Sequence, residues 1–115
     1  MNKNIYEPIR CTVTGVITES PTIKTVLLEP EQEFSFLAGQ FASLTVPGVG
    51  EAPFTPSSSP YDKQHLEFTV MKVGRVTAAI HELKKGDIVG IRGPYGKPYP
   101  LESYKGKEIL LVGGG

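Results

Sequence analysis

The chain has 115 residues, a length that fits one domain. Apolar residues make up 39% and charged residues 21%, so the composition favours a packed core over a disordered tail. Lys plus Arg equals Asp plus Glu at 12 each, and this balance argues against a nucleic-acid-binding surface. The N-terminus lacks a signal-peptide pattern and no segment reaches the length of a membrane span, so we expect no membrane contact and a cytoplasmic location.

The residues that most often bind metals or form disulfides are scarce. Cys11 is the single cysteine, which excludes an intrachain disulfide and a cysteine-based metal site. His65 and His81 are far apart and lack metal-site spacing. We therefore expect no metal.

The main part of the chain predicts short strands separated by turns, since 13 glycines and 10 prolines punctuate it. Residues 9–17 alternate apolar and polar side chains, as a half-buried strand does, and residues 23–29 would pair with them as a hairpin. The proline-containing segment 52–59 predicts an edge strand or an extended segment. The strands are predicted over residues 9–17, 23–29, 41–46, 52–59, 66–73 and 87–92.

The hydrophobic period then changes to that of a helix. Val76, Ala79, Ile80 and Leu83 recur at helical spacing, and Gly86 suits the end of such a helix. The order of elements predicts an all-β fold, a six-stranded antiparallel Greek-key β-barrel with one capping helix, closed so that no strand edge is exposed.

An apolar run over residues 109–112 ends in three glycines and predicts a strand buried on both faces. A buried strand that runs into glycines is how a dinucleotide-binding unit opens, although terminal glycines can also be a flexible tail. We expect residues 1–107 to form the barrel domain and residues 108–115 to be the first strand and glycine turn of a nucleotide-binding domain.

Three earlier segments could carry chemistry, and each also has a purely structural interpretation. Residues 73–77 lead from a strand into a helix, whose first N–H groups can bind an anion, or Gly74 and Thr77 only shape the helix start. Residues 53–60 offer an aromatic ring and hydroxyls for a flavin, or form a Ser/Pro-rich loop. Residues 93–96 predict a tight turn beside a ligand or beside a neighbouring loop.

Taken in order, these segments resemble the ferredoxin–NADP reductase superfamily, whose N-terminal barrel, similar to that of riboflavin synthase, binds FAD and whose C-terminal domain binds NAD(P)H. Within it, residues 50–54 and the serine run after them look most like electron-transfer flavoproteins of anaerobic systems. These include the gamma subunit of sulfhydrogenases and the electron-transfer subunits of anaerobic sulfite reductase and dihydroorotate dehydrogenase. The residues that carry the resemblance are 38–41, 53–59, 74–77, 86–87, 93–96 and 111–115.

The resemblance implies roles for individual residues. Phe54 and Thr55 match the family positions whose aromatic ring packs on the isoalloxazine and whose hydroxyl lies near flavin N5, and Thr55 is the expected catalytic residue. The family arginine of this motif falls on Ala52, and Arg75 is the candidate replacement. The expected FAD-binding residues are Phe54, Thr55, Pro56, Ser57, Thr69, Val70, Met71, Lys72, Gly74, Arg75, Val76 and Thr77.

The function that the resemblance implies is the FAD domain of an NAD(P)H-dependent oxidoreductase. FAD is the expected cofactor, NAD(P)H a substrate of the full-length enzyme, and an iron–sulfur protein or other redox subunit the partner. The 115 residues alone are expected to be inactive, and the apolar run at 109–112 could pair two copies as a homodimer. The alternative is a non-catalytic β-barrel that binds a protein or an oligonucleotide.

Overall fold

The computed structural model describes residues 7–112, which form a mostly β structure with two short helices. Six strands and one helix match the predicted elements in order, with boundaries shifted by a few residues. A second helix of four residues was not predicted, because a single turn is too short to show a hydrophobic period. The elements are β1 (Ile9–Ser20), β2 (Ile23–Pro30), β3 (Phe41–Val46), β4 (Gly50–Phe54), β5 (Leu66–Met71), α1 (Arg75–His81), β6 (Ile88–Tyr95) and α2 (Leu101–Tyr104).

The six strands form one antiparallel sheet in the order β4-β3-β6-β1-β2-β5. Sequence neighbours pair as hairpins in β1–β2 and β3–β4, whereas β6 returns to lie between β3 and β1. The all-β antiparallel fold is therefore confirmed.

The core lies on one face of the curved sheet, where alternate residues of each strand meet. Phe68, Leu28, Val13 and Ile91 are fully buried there. Ile80 of α1 joins them, so the helix covers one part of this core. The alternation seen in the sequence thus has the expected cause, since a strand presents every second residue to the same face.

The two outer strands, β4 and β5, form no ladder with each other within residues 7–112. Instead, the segment that follows β4 crosses to β5. The Ser57 N–H donates to the Glu67 carbonyl at 2.8 Å, and the Glu67 N–H donates to Ser58 Oγ at 3.0 Å. Pro53 and Pro56 cannot donate to a ladder, which explains why β4 stays at an edge. Complete closure of the barrel stays a prediction.

The predicted tight turn at residues 93–96 is wrong in part, because Gly93 and Pro94 lie inside β6. The register between β3 and β6 shifts between Phe41 and Ser43, which marks an irregularity at this point of the ladder. Gly93 has a φ of 132°, a backbone conformation that glycine adopts readily. Pro94 lacks an N–H and fits an irregular position in a strand better than a regular one.

The predicted strand over residues 109–112 is also wrong, since these residues form no strand and Ile109, Leu110, Leu111 and Val112 are at least 52% exposed. A strand buried on both faces needs neighbouring strands and covering helices, and the described residues supply none here. The glycine turn at 113–115 lies outside the described residues. In residues 7–112 no helix is long and apolar enough to cross a membrane.

Candidate functional site

The segment after β4 reaches β5 through its serine side chains as well as its backbone. The hydroxyls of Thr69 and Ser57 lie 3.2 Å apart. Together with the backbone bond from Ser57 to Glu67, this contact brings two of the predicted flavin-binding segments side by side. Pro56 is buried between them, whereas Ser57 and Thr69 are exposed.

The third predicted segment follows directly on β5. Val70 is buried in the core, while Met71 and Val73 are 48% and 75% exposed. Exposed apolar side chains of this size, next to the exposed cation of Lys72, fit a ligand that has both flat apolar and anionic parts. We conclude that the surface around the end of β5 suits a dinucleotide-like cofactor.

The helix start is shaped by a threonine. Thr77 is 7% exposed, and its hydroxyl accepts the N–H groups of Val73 and Gly74, both at 2.8 Å, and donates to the Gly74 carbonyl at 3.0 Å. The structural interpretation of this hydroxyl is therefore correct, and it is committed to the backbone. Only the backbone N–H of Thr77 is left for a ligand, together with those of the first helical residues, which lack intrahelical acceptors.

The surface above the helix start is open. No atom lies within 4 Å of a Cβ built on Gly74, and Arg75 is exposed without an ion-pair partner in the described part of the chain. An open backbone with a nearby cation suits an anionic group such as a pyrophosphate. These residues therefore fit the phosphate part of FAD, and Arg75 offers the positive charge that Ala52 lacks.

Helix α1 is held in place by buried polar contacts that the sequence did not reveal. His81 is 6% exposed, and its Nε2 lies 2.7 Å from the Val70 carbonyl. Lys24 donates to the His81 carbonyl at 3.0 Å. At the other side, Val76 faces Gly50, where an added Cβ would lie 3.4 Å from Val76 Cγ2. These contacts fix the helix start between β5 and the beginning of β4.

Phe54 and Thr55 lie at the opposite end of β4 from the Gly50–Val76 contact. Four strand residues separate them, roughly 13 Å at 3.3 Å per residue. Phe54 is half-buried and packs against the core, and Thr55 is exposed, with no side-chain hydrogen bond to any residue of 7–112. The site is thus extended: an aromatic ring and a free hydroxyl at one end, and the open helix start at the other.

A polar groove of about 480 Å³ lies elsewhere, near the start of β5, and includes none of the predicted flavin-binding residues. Glu29, Glu31 and Glu33 outnumber Lys63 among its charged side chains, and the His65 ring lies 3.7 Å from Asp62. A groove with this charge is a poor site for an anionic cofactor.

The comparisons with known proteins decide the family. Residues 10–99 match the family described as the oxidoreductase FAD-binding domain. The chain belongs to this family. The match spans most of the described residues, including every predicted flavin-binding position.

Individual relatives agree with the family and extend beyond this chain. Sulfhydrogenase 1 subunit gamma from Pyrococcus furiosus is 41% identical over 99% of this chain and 41% of its own length. A probable electron transfer subunit of dihydroorotate dehydrogenase B (NAD(+)) from Methanocaldococcus jannaschii is 44% identical over 95% of this chain and 38% of its own. The FAD-binding domain therefore spans about two fifths of these curated relatives.

Solved structures support the same fold. The cytochrome P450 reductase GcoB from Amycolatopsis has a TM-score of 0.73 and 30% identity, over 84% of this chain and 31% of that one. The cytochrome b5 reductase domain of Ulva prolifera nitrate reductase has a TM-score of 0.72 at 18% identity, over 81% of this chain and 42% of that one. This domain is thus an FAD-binding domain of the ferredoxin reductase type.

Proposed function

We propose that the FAD-binding domain holds FAD so that electrons pass between NAD(P)H and an iron–sulfur or other redox subunit of a larger oxidoreductase. The observation that carries this proposal is the convergence of the predicted segments at the end of β5, in a chain of the FAD-binding family. The chemistry that FAD supplies is the conversion of a two-electron hydride into electrons that leave singly. The protein side chains bind and orient the cofactor.

The proposed residue roles follow the geometry from one end of the site to the other. Phe54 supports the flavin ring, and the free hydroxyl of Thr55 faces its reactive edge. Residues 56–57 and 69–72 line the middle of the cofactor. The backbone of residues 74–77 and the charge of Arg75 hold the pyrophosphate. No acid, base or nucleophile from this chain is needed, since position and electrostatics suffice.

The partner assignment rests on the relatives. Their printed descriptions are a hydrogenase subunit and an electron transfer subunit, and the reductase component of phenol 2-monooxygenase from Pseudomonas is 35% identical over 94% of this chain and 32% of its own length. We infer a comparable role for the protein that contains this domain. The assignment of residues 108–115 to a nucleotide-binding domain, a homodimer through residues 109–112 and a cytoplasmic location stay predictions.

The charge of Arg75 gives the sharpest test of the proposed site. We expect Arg75→Gln to raise the dissociation constant for FAD about tenfold, since a charge-assisted hydrogen bond to the pyrophosphate is lost. The matched control is Lys85→Gln, which removes one exposed cation beyond the other end of α1. Flavin fluorescence titration measures both. Equal affinities in the two variants would contradict the proposed phosphate position.

A further inference from the structure

Four oxygen atoms from four separate segments form a continuous chain of contacts beside the proposed flavin site. Thr25 donates to Glu19 Oε1 at 3.1 Å, Thr25 Oγ1 and Thr69 Oγ1 lie 2.9 Å apart, and Thr69 and Ser57 lie 3.2 Å apart. We call Glu19, Thr25, Thr69 and Ser57 the hydroxyl chain. Ser57 and Thr69 belong to the proposed site, whereas no other argument has pointed to Glu19 or Thr25.

The register of the sheet produces this arrangement. Thr25 of β2 pairs directly with Thr69 of β5. On β1 the register shifts between Thr18 and Ser20, so Glu19 has no partner in the ladder. A bulge of this kind redirects a side chain and is common beside active sites. Thr25 is 5% exposed although it is polar, and its contacts in the hydroxyl chain satisfy its hydroxyl.

The number of protons sets the direction of each hydrogen bond. A hydroxyl has one proton to donate, and an ionised carboxylate only accepts. Because Thr25 donates to Glu19, the proton of Thr69 must fill the 2.9 Å contact with Thr25. The proton of Ser57 then fills the contact with Thr69.

The opposite direction, from Thr69 to Ser57, is allowed by the local geometry. It would, however, leave the shorter contact between Thr25 and Thr69 without a proton as long as Thr25 donates to Glu19. The charged end of the hydroxyl chain therefore favours one polarity. In that polarity Ser57 presents only lone pairs toward the proposed cofactor.

We propose that Glu19 and Thr25 are positioning residues: through Thr69 they make Ser57 a hydrogen-bond acceptor toward the flavin, and so set the flavin's midpoint potential. This inference rests on the proposed function, because it places Ser57 beside the cofactor. Removing Glu19 frees Thr25 to donate to Thr69 and Thr69 to donate to Ser57, which turns Ser57 into an outward donor. Cutting the chain at Thr25 has the same consequence for Ser57.

The test measures the FAD dissociation constant and the midpoint potential of the FAD-loaded protein in variants along the hydroxyl chain. We expect Glu19→Ala and Thr25→Val to shift the potential in the same direction. The shift should equal an about threefold to tenfold change in the relative affinity for the two redox states of the cofactor, the effect of one hydrogen bond. The double variant should give the shift of one single variant, and neither substitution should act in a Ser57→Ala background.

Matched controls come from the far edge of the sheet. There Thr45 donates to Glu51 Oε2 at 3.0 Å, so Thr45→Val and Glu51→Ala remove the same chemical groups away from the proposed site. Urea unfolding of every variant separates an effect on the flavin from a general loss of stability.

Two results would overturn the inference, and they differ in what else they affect. If Ser57→Ala changes the flavin while Glu19→Ala and Thr25→Val behave like the controls, the hydroxyl chain is only structural and the proposed site stands. If Ser57→Ala changes neither FAD affinity nor potential, the proposed site itself is wrong at this position.

Discussion

Thr55 is the side chain on which the electron-transfer proposal depends most directly. Its hydroxyl is exposed and unbonded within the described residues, so it costs the fold little and is available to a ligand. We expect Thr55→Ala to slow flavin reduction by NAD(P)H in the full-length protein more than it weakens FAD binding. The loss of one hydrogen bond near the reacting edge should cost about 1–3 kcal/mol where it acts.

Stopped-flow reduction and an equilibrium FAD titration separate the two effects of the Thr55 change. The control is Thr55→Ser, which keeps the hydroxyl and should retain most of the rate. An unchanged rate in Thr55→Ala would mean that this hydroxyl faces only solvent.

Glu51 gives a prediction for the pH dependence of stability. Hydrogen bonds from Arg92 and then from Thr45 lower the pKa of the Glu51 carboxyl from its ordinary 4.5. A carboxyl with a lowered pKa in the folded state adds stability above the ordinary value and loses this contribution as the pH falls through the folded value. Glu51→Gln should therefore destabilise the fold at pH 7 and have less effect at pH 3.

Urea unfolding at both pH values checks the Glu51 prediction. The control is Glu102→Gln, an exposed carboxyl without an ion pair among residues 7–112. The same destabilisation by Glu51→Gln at both pH values would mean that the ion pair with Arg92 contributes nothing that depends on charge.

Sequence reasoning at the level of single residues succeeded where local chemistry was enough. The structural alternative for the Thr77 hydroxyl was foreseen, because threonine at a helix start commonly bonds to nearby backbone. Glu19 and Thr25 were not foreseen as part of any site. Their link to Thr69 depends on strand register across positions 44 residues apart in the chain, and a single sequence does not reveal such a register.

Most elements were predicted correctly because each had a clear local period. Strand β3 was predicted with its observed bounds, and α1 was predicted from four apolar positions. The tail at 109–112 was predicted wrongly, since its apolar run reports how a strand would be buried and not whether neighbours are present. The placement of Pro94 within β6 was missed because a Gly-Pro pair ordinarily marks a turn.

The start of α1 gives a prediction at the scale of an element. Thr77→Val should destabilise the fold by about 1–3 kcal/mol, because it leaves the N–H groups of Val73 and Gly74 without their acceptor. It should also weaken FAD binding, since the backbone that faces the phosphates loses its support. Thr77→Ser keeps the hydroxyl and should restore both properties in thermal unfolding and FAD titration. Failure of the serine variant to restore them would show that packing of the Thr77 methyl group matters more than the hydrogen bonds.

At the scale of the whole molecule, one crossing connection links the two outer strands of the sheet. The segment after β4 carries prolines and serines, and it reaches β5 through side chains as well as backbone. A pattern of strand periods cannot predict this kind of connection. It matters for function because it brings the predicted flavin-binding segments together.

A polypeptide of these 115 residues, loaded with FAD, should show little reaction with NADH or NADPH. Hydride transfer needs the nicotinamide held against the flavin, and its rate falls steeply with misplacement. The described residues contain no second nucleotide-binding unit. The measurement is anaerobic bleaching of the flavin absorbance, with free FAD as the reference. Bleaching well above that of free FAD would show that these residues alone can position the nicotinamide.

The preference for FAD over FMN tests the central claim most directly, because only FAD has the pyrophosphate that the open helix start and Arg75 are proposed to hold. Parallel fluorescence titrations with FAD and FMN at the same salt concentration measure it. The account predicts FAD binding at least tenfold tighter than FMN binding, the effect of about one charge-assisted contact, with Arg75→Gln removing most of this difference. Equal affinity for the two flavins, or no binding of either, would contradict it.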